Sequence, residues 1–260
     1  MYVRKGDTAP DDEHEREMLI AFYQSTNGDN WTKKDNWCSD KPMSEWYGIE
    51  TWYDAVSKKS RVKSIGLPNN NLTGSASLAD LKSLYELNIL SGNQIESLTI
   101  DNCGNELVAD YLNDISTVFR HDNNHSLRSL IALTISNSNG SIYVNGNFSA
   151  ETVTISNCNL SAQEKMYFNL PSTTIGTLTV SNCTMGYFYA DNSIIGNTTI
   201  ENCSFIVNKE LLSNEENGAY IYVGNKTQVN NCTGLKYIYS KTCSDLTVTN
   251  TVCDDIRCGN

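Results

Sequence analysis

The chain has 260 residues, with 19 Lys and Arg against 30 Asp and Glu, a formal net charge of −11. That balance argues against nucleic acid as a partner, because phosphate binding wants a basic stripe. No segment is apolar enough to span a membrane, and the length suits one elongated domain.

Residues 1–11 are acidic and polar and are expected to form a disordered tether. An N-terminal cap is expected over 12–64. Asp12 with Glu15 three positions later reads as a capping box that opens a helix. Leu19, Phe22 and Tyr23 give that helix one apolar face. Trp31, Trp37, Trp46 and Trp52 lie within 22 residues. They are expected to form the core of the cap rather than a sugar platform. A repeat array needs such a cap because its first strand is otherwise an open edge.

The region 65–260 is self-similar. Leu-Thr-Ile-Asp-Asn-Cys at 98–103 returns as Leu-Thr-Ile-Ser-Asn-Ser at 133–138 and Val-Thr-Ile-Ser-Asn-Cys at 153–158. Leu-Thr-Val-Ser-Asn-Cys at 178–183 and Thr-Thr-Ile-Glu-Asn-Cys at 198–203 follow. Thr-Gln-Val-Asn-Asn-Cys at 227–232 and Leu-Thr-Val-Thr-Asn-Thr at 246–251 complete the series. From Leu133 onward the copies start 20, 25, 20, 29 and 19 residues apart. Self-similarity of this kind means a solenoid. Within the phrase the apolar residues alternate, which is strand periodicity. Ile100, Ile135, Ile155, Val180, Ile200, Val229 and Val248 are expected inside. Thr99, Thr134, Thr154, Thr179, Thr199, Gln228 and Thr247 then form one outward column. Asp101, Ser136, Ser156, Ser181, Glu201, Asn230 and Thr249 form a second.

A second phrase alternates with the first: Ile142-Tyr143-Val144, Met166-Tyr167-Phe168, Phe188-Tyr189-Ala190, Ile221-Tyr222-Val223 and Ile238-Tyr239-Ser240. Its apolar residues point in and its tyrosines out. Tyr143, Tyr167, Tyr189, Tyr222 and Tyr239 are expected in one column, with Tyr187, Tyr220 and Tyr237 beside them. The fold class is therefore a β-dominated repeat solenoid, winding to the right. It has about 20–25 residues and two short strands per coil, behind a small helical cap.

Five of nine cysteines, Cys103, Cys158, Cys183, Cys203 and Cys232, share one position after the first strand. They follow an asparagine column, Asn102, Asn137, Asn157, Asn182, Asn202, Asn231 and Asn250, whose side chains are expected to bond the turning backbone. Buried reduced thiols fit that position better than a metal site, since one sulfur per coil is no zinc ligand set. Cys253 and Cys258 are the disulfide candidate, with Cys243 as an alternative partner. Neighbouring ladder thiols point in parallel and suit a disulfide poorly. His121 and His125 stand four apart, but the intervening Asp-Asn-Asn favours a turn, and no third ligand is evident. No motif calls for a metal or another cofactor. After Val248 twelve residues remain. They are expected to cap the last coil or to leave its edge to a partner.

Ile65-Gly66-Leu67-Pro68-Asn69-Asn70-Asn71-Leu72-Thr73-Gly74 resembles a leucine-rich repeat. The stretch from Leu19 through Asn27-Gly28-Asp29-Asn30-Trp31 to Trp46-Tyr47-Gly48-Ile49 resembles the N-terminal cap of bacterial and plant leucine-rich-repeat ectodomains. The half-repeat tyrosine strands are not standard for that family, and the distal two thirds could equally be called β-helix-like. The resemblance implies an exported, extracellular or cell-surface protein that recognises other molecules, a host or bacterial surface protein or a glycan. An export signal is expected to have been removed, and membrane attachment to depend on an absent N-terminal anchor, as in a lipoprotein. Asp7-Thr8-Ala9 resembles the O-glycosylation acceptor of exported proteins from some anaerobic bacteria, which makes Thr8 a candidate.

Three function classes follow. The first is a non-enzymatic recognition module that binds protein or glycan through one solenoid face, the tyrosine columns being the candidate site. The second is a polysaccharide-degrading β-helix lyase or hydrolase. It needs paired carboxylates or a calcium site, whereas Asp101, Asp110, Asp191 and Glu201 are dispersed. The third is ice or crystal binding through the Thr and Ser columns. The first reading leads.

Overall fold

The computed structural model describes residues 9–90, 92–104, 117–121, 130–139, 141–144, 149–159, 167–169, 174–185, 187–189, 194–206, 220–223, 226–240 and 245–258. At 117–121, 141–144, 167–169, 220–223 and at 187, 189, 194 and 258 the description is of the backbone alone. Thr8, Asp110, His125, Asp191 and Cys243 lie outside the described residues, as do most of the inserted loops.

One helix, α1 (Glu13–Ser25), opens the fold. Asp12 caps it, accepting from the backbone N–H groups of His14 at 3.1 Å and Glu15 at 3.3 Å. The reciprocal half of the capping box does not form. The Asp12 N–H already donates to the Ser60 carbonyl, and the Glu15 carboxylate instead accepts the Val62 N–H at 2.6 Å. Pro10 and Asp11, assigned to the tether by composition, are anchored to the cap. The Pro10 carbonyl accepts from Ser60, while buried Asp11 accepts from the Met43 N–H and pairs with Arg16.

Leu19 and Phe22 are fully buried, with Tyr23 packed beside them. Around them Trp31, Trp37 and Trp46 make a cluster of edge-on and tilted rings. Trp52 does not belong to it. It sits on a strand, stacks edge-on against Tyr85, and donates its indole N–H to the Ser83 carbonyl.

The strands, in chain order, are β1 (Ile49–Asp54), β2 (Lys59–Gly66), β3 (Thr73–Ala79), β4 (Glu86–Asn88), β5 (Gln94–Asp101), β6 (Thr117–His121) and β7 (Leu130–Ser136). Then come β8 (Ser141–Val144), β9 (Ser149–Ser156), β10 (Tyr167–Asn169), β11 (Thr174–Ser181), β12 (Thr184–Met185) and β13 (Tyr187–Tyr189). The last are β14 (Ile194–Glu201), β15 (Ser204–Phe205), β16 (Tyr220–Val223), β17 (Lys226–Asn230), β18 (Tyr237–Ser240), β19 (Leu246–Thr249) and β20 (Asp255–Cys258).

Two sheets run the length of the solenoid. One has ten strands in the order β1-β2-β4-β6-β8-β10-β13-β16-β18-β20, and the other has eight in the order β3-β5-β7-β9-β11-β14-β17-β19. The β1–β2 pair is antiparallel, and every other described pairing is parallel. The fold is thus the β-dominated parallel solenoid with a short N-terminal helix that the repeats imply. A third side, β12 with β15, buries Met185 and Phe205 and was not foreseen from the two strand phrases.

The eight-stranded sheet keeps the register read from the repeats. Ile100, Ile135, Ile155, Val180, Ile200 and Val229 pair in sequence, and each is at most 1% exposed. The columns Thr99 to Thr247 and Asp101 to Thr249 stand on the other face in the same register. Gly176 has no room for a side chain, because an added Cβ would lie 2.6 Å from the Glu151 carbonyl oxygen of the preceding coil.

Two buried asparagines join the cap to the first coils. Asn70 exchanges hydrogen bonds with the backbone of Lys33 through both ends of its amide. Asn93 accepts from the N–H groups of Asn70 and Leu72 and donates to the carbonyls of Leu67 and Ile89. Removing the Asn93 amide strands four backbone groups in a buried site. Asn93→Ala is expected to cost about 3 kcal/mol, read as a lowered midpoint in denaturant unfolding.

Glu15 is 1% exposed. Burial pushes its carboxyl up to about 7, against the Val62 hydrogen bond and the Arg61 charge, which pull it down. A raised acid pKa means that the native state binds more protons than the unfolded state. The stabilisation is therefore complete below the ordinary value of 4.5 and is lost as pH rises through about 7. Glu15→Gln should raise the thermal midpoint more at about pH 8 than at about pH 5, as measured by circular dichroism melts.

Candidate recognition face

The candidate face is the outer surface of the ten-stranded sheet. Inward positions are apolar there: Ile65, Leu87, Phe188 and Ile238 are at most 1% exposed. Alternation then places residues one step either side on the outer face. The pairing sets two columns. Tyr187, Tyr220 and Tyr237 align, and so do Tyr189, Tyr222 and Tyr239. Six tyrosines on three consecutive strands thus share one face, with neighbours along a column about 4.8 Å apart.

Tyr167 stands elsewhere than the repeat alignment placed it. Its strand pairs Tyr167 with Tyr187 and Asn169 with Tyr189, so Tyr167 heads the first column. Tyr143 aligns with Asn169 and heads the second. The reason is that two residues separate the equivalent tyrosine positions on a strand. An apolar-Tyr-apolar phrase can therefore dock in either register without turning an apolar residue outward.

Tyr237 and Tyr239 are half-buried, with ring centroids 6.1 Å apart. The side chains of Tyr143, Tyr167, Tyr187, Tyr189, Tyr220 and Tyr222 lie outside the described residues. Arg257 extends over both described rings, with its guanidinium 4.6 Å from the Tyr237 centroid and 5.7 Å from that of Tyr239. It also donates to the Tyr239 hydroxyl at 3.1 Å. The Lys236 ammonium lies 5.2 Å from the Tyr237 centroid. At the other end of the same sheet Lys63 lies over Trp52 at 5.1 Å and pairs with Glu50.

Arg257 was missed in the sequence because the phrase is disguised there. Ile256 aligns with Ile238 and Arg257 with Tyr239, so Ile-Arg-Cys is a further copy of Ile-Tyr-Ser. The twelve C-terminal residues thus extend the sheet by one strand. Cys253 is a free thiol, and its candidate partners, Cys243 and the Cys258 side chain, lie outside the described residues.

The opposite sheet keeps Asp101 and Glu201 apart. Asp101 and Glu201 share a column but are four strand spacings apart, roughly 19 Å. Paired glycosidase carboxylates stand about 5–9.5 Å apart. Asp101 is instead held by the Ser136 hydroxyl at 2.6 Å and the Asn137 amide at 2.7 Å. Among the described residues no three His, Cys, Asp or Glu side chains are grouped to hold a metal. No described helix is long and apolar enough to cross a membrane.

The five ladder cysteines are free thiols, each at most 2% exposed. Each donates to the carbonyl two residues earlier, at 3.1–3.3 Å. Burial pushes the Cys103 thiol up to about 12. Contact with the Cys183 thiol first, and burial after it, raises Cys158. Contact with Cys183 and Cys232 raises Cys203, with burial again the lesser cause. The same contacts lower Cys183 and Cys232, so what slows all five is burial, which keeps reagent away whichever thiol of a contact holds the proton. Alkylation of the native protein should label exposed Cys38 and partly exposed Cys253 while sparing the ladder, which should react only in denaturant. Peptide mass mapping reads the pattern.

No family model and no curated protein matches this chain.

Proposed function

We propose that the chain is a non-enzymatic, exported recognition module that binds a protein or glycan through the tyrosine face of its ten-stranded sheet. The observation that carries this reading is the register of Tyr187, Tyr220 and Tyr237 beside Tyr189, Tyr222 and Tyr239. Tyrosine presents a large rigid ring and a hydroxyl at small entropic cost, which suits protein interfaces and stacking against sugars. Six of them at strand spacing form a platform whose long axis follows the solenoid. A partner laid along that axis meets the same chemistry at each coil. The guanidinium of Arg257 and the ammonium of Lys236 supply polar contacts at one end.

The leucine-rich-repeat resemblance supports an extracellular setting. Asn70 and Asn93 satisfy the backbone of successive early coils from buried positions, as repeat asparagines do. The Trp-rich helical segment covers the first coil. Family membership, export and surface attachment remain part of the proposal.

The test is replacement of Tyr189 and Tyr222 by Ala, singly and together, in the intact chain. Binding is assayed against ligands found on a glycan array and in a surface-protein screen. Interface tyrosines of this kind are worth about 2 kcal/mol or more. The double variant should therefore bind at least about tenfold more weakly with an unchanged melting curve. Unchanged affinity in a folded double variant would move the site off this face.

A further inference from the structure

The last strands of both sheets are edges: β20 ends the ten-stranded sheet and β19 ends the eight-stranded one. In β20, Ile256 continues the inward column of Ile238. Ile238 is fully buried, whereas Ile256 is 45% exposed, and Val252 nearby is 82% exposed. On the outer side of β20 no further strand pairs among the described residues. An open parallel edge with apolar side chains beneath it is a template for another strand.

The sequence of β20 says which strand fits. Asp255 and Arg257 flank Ile256 and form an ion pair at 2.7 Å on the outer face. When two identical strands pair antiparallel about a two-fold axis, the residue on the axis faces its own copy. The residues on either side then face each other's counterparts. With Ile256 on the axis, the two isoleucines meet. Asp255 of each copy then faces Arg257 of the other. Moving the axis by one residue sets Asp255 against Asp255 or Arg257 against Arg257, and like charges directly opposite are unfavourable. Of these three registers only the one centred on Ile256 is self-complementary.

We infer that this chain forms a two-fold dimer by antiparallel pairing of β20 with β20 of a second copy, centred on Ile256. Each copy carries a net charge of −11, so the seam needs local attraction to bring the two ends together. The crossed Asp255 and Arg257 pairs provide it. The ten-stranded sheets become one continuous sheet, with the tyrosine columns of both copies on the same face, either side of a charged seam. The inference does not depend on what that face binds.

Sedimentation equilibrium of the full chain over a range of concentrations tests it, with three variants. Wild-type protein should sediment as a monomer–dimer equilibrium. Arg257→Asp, which sets Asp255 against a second carboxylate, should weaken dimerisation by about tenfold or more. Ile256→Lys should do the same through like charges on the axis. Asp255→Arg with Arg257→Asp keeps the net charge and the crossed pairs and should dimerise as wild type does. Because β20 is an edge, none of these changes should shift the melting curve of the solenoid much. If Ile256→Lys fails to fold, the two charge variants still decide. A monomeric wild type, or a dimer that Arg257→Asp leaves intact, overturns the proposal. A charge-reversed double variant that stays monomeric while folded overturns it too.

Discussion

One left-handed residue per coil governs the eight-stranded side of this molecule. Asn102, Asn137, Asn157, Asn182, Asn202, Asn231 and Asn250 all have φ between 48° and 54°, and Asp80 stands at the head of the series with φ 57°. Asparagine and aspartate tolerate this conformation better than other side chains that carry a Cβ. The bend turns each N–H to the next coil: Asn102 donates to Ser136, Asn137 to Ser156, Asn157 to Ser181 and Asn182 to Glu201. The same bond therefore ends a strand and fixes its register on the next. The amide side chains reach sideways as well, from Asn102 to Asp80, from Asn137 to Asp101 and from Asn231 to Asn202.

The residue after the bend has little freedom left. It faces the interior close to the carbonyl two positions back, so it must be small and able to donate. Cysteine does this in five coils. Ser138 and Thr251 do the same with hydroxyls, each donating to the carbonyl two residues earlier. Both hydroxyls also accept an N–H from the preceding coil, that of Cys103 at Ser138 and that of Cys232 at Thr251. The Asn-Cys pair is one turning device, which explains the recurrence of thiols without invoking any chemistry for them. It also explains why the solenoid was legible in the sequence. The residues that make the corner are chosen by backbone geometry, and they recur with each coil however long the insertions elsewhere.

Other features were less legible because weaker or non-local constraints set them. The asparagine column was visible, but its cause was not: a φ angle leaves no mark in composition, and the side chains of Asn102, Asn137 and Asn231 also bond other side chains. The tyrosine strands carry only the alternation of apolar and outward residues, which is indifferent to a shift of two, and Tyr167 moved by that amount. Trp52 looked like its three neighbours in sequence but is separated from them by the strand that carries it. Glu15 read as half of a capping box. Its burial against Val62 depends on β2, 47 residues away, and no local pattern reports that. The final strand was hidden by the replacement of tyrosine with arginine at the one position that identifies the phrase.

These constraints leave the two sheets with different outer surfaces. On the eight-stranded side the hydroxyls and amides nearest the bend are tied to one another, Ser136 to Asp101 and Thr249 to Asn230. Asp101 and Glu201 also interrupt what would otherwise be a uniform array of hydroxyls. A lattice-binding surface needs the reverse, a flat repeating row free to meet its ligand. On the ten-stranded side the outer residues vary from Ser64 and Glu86 at one end to tyrosine and arginine at the other. Residues that the fold does not dictate are those that selection for binding can set. That contrast, more than the aromatic content alone, supports the proposal that the tyrosine face is the recognition surface.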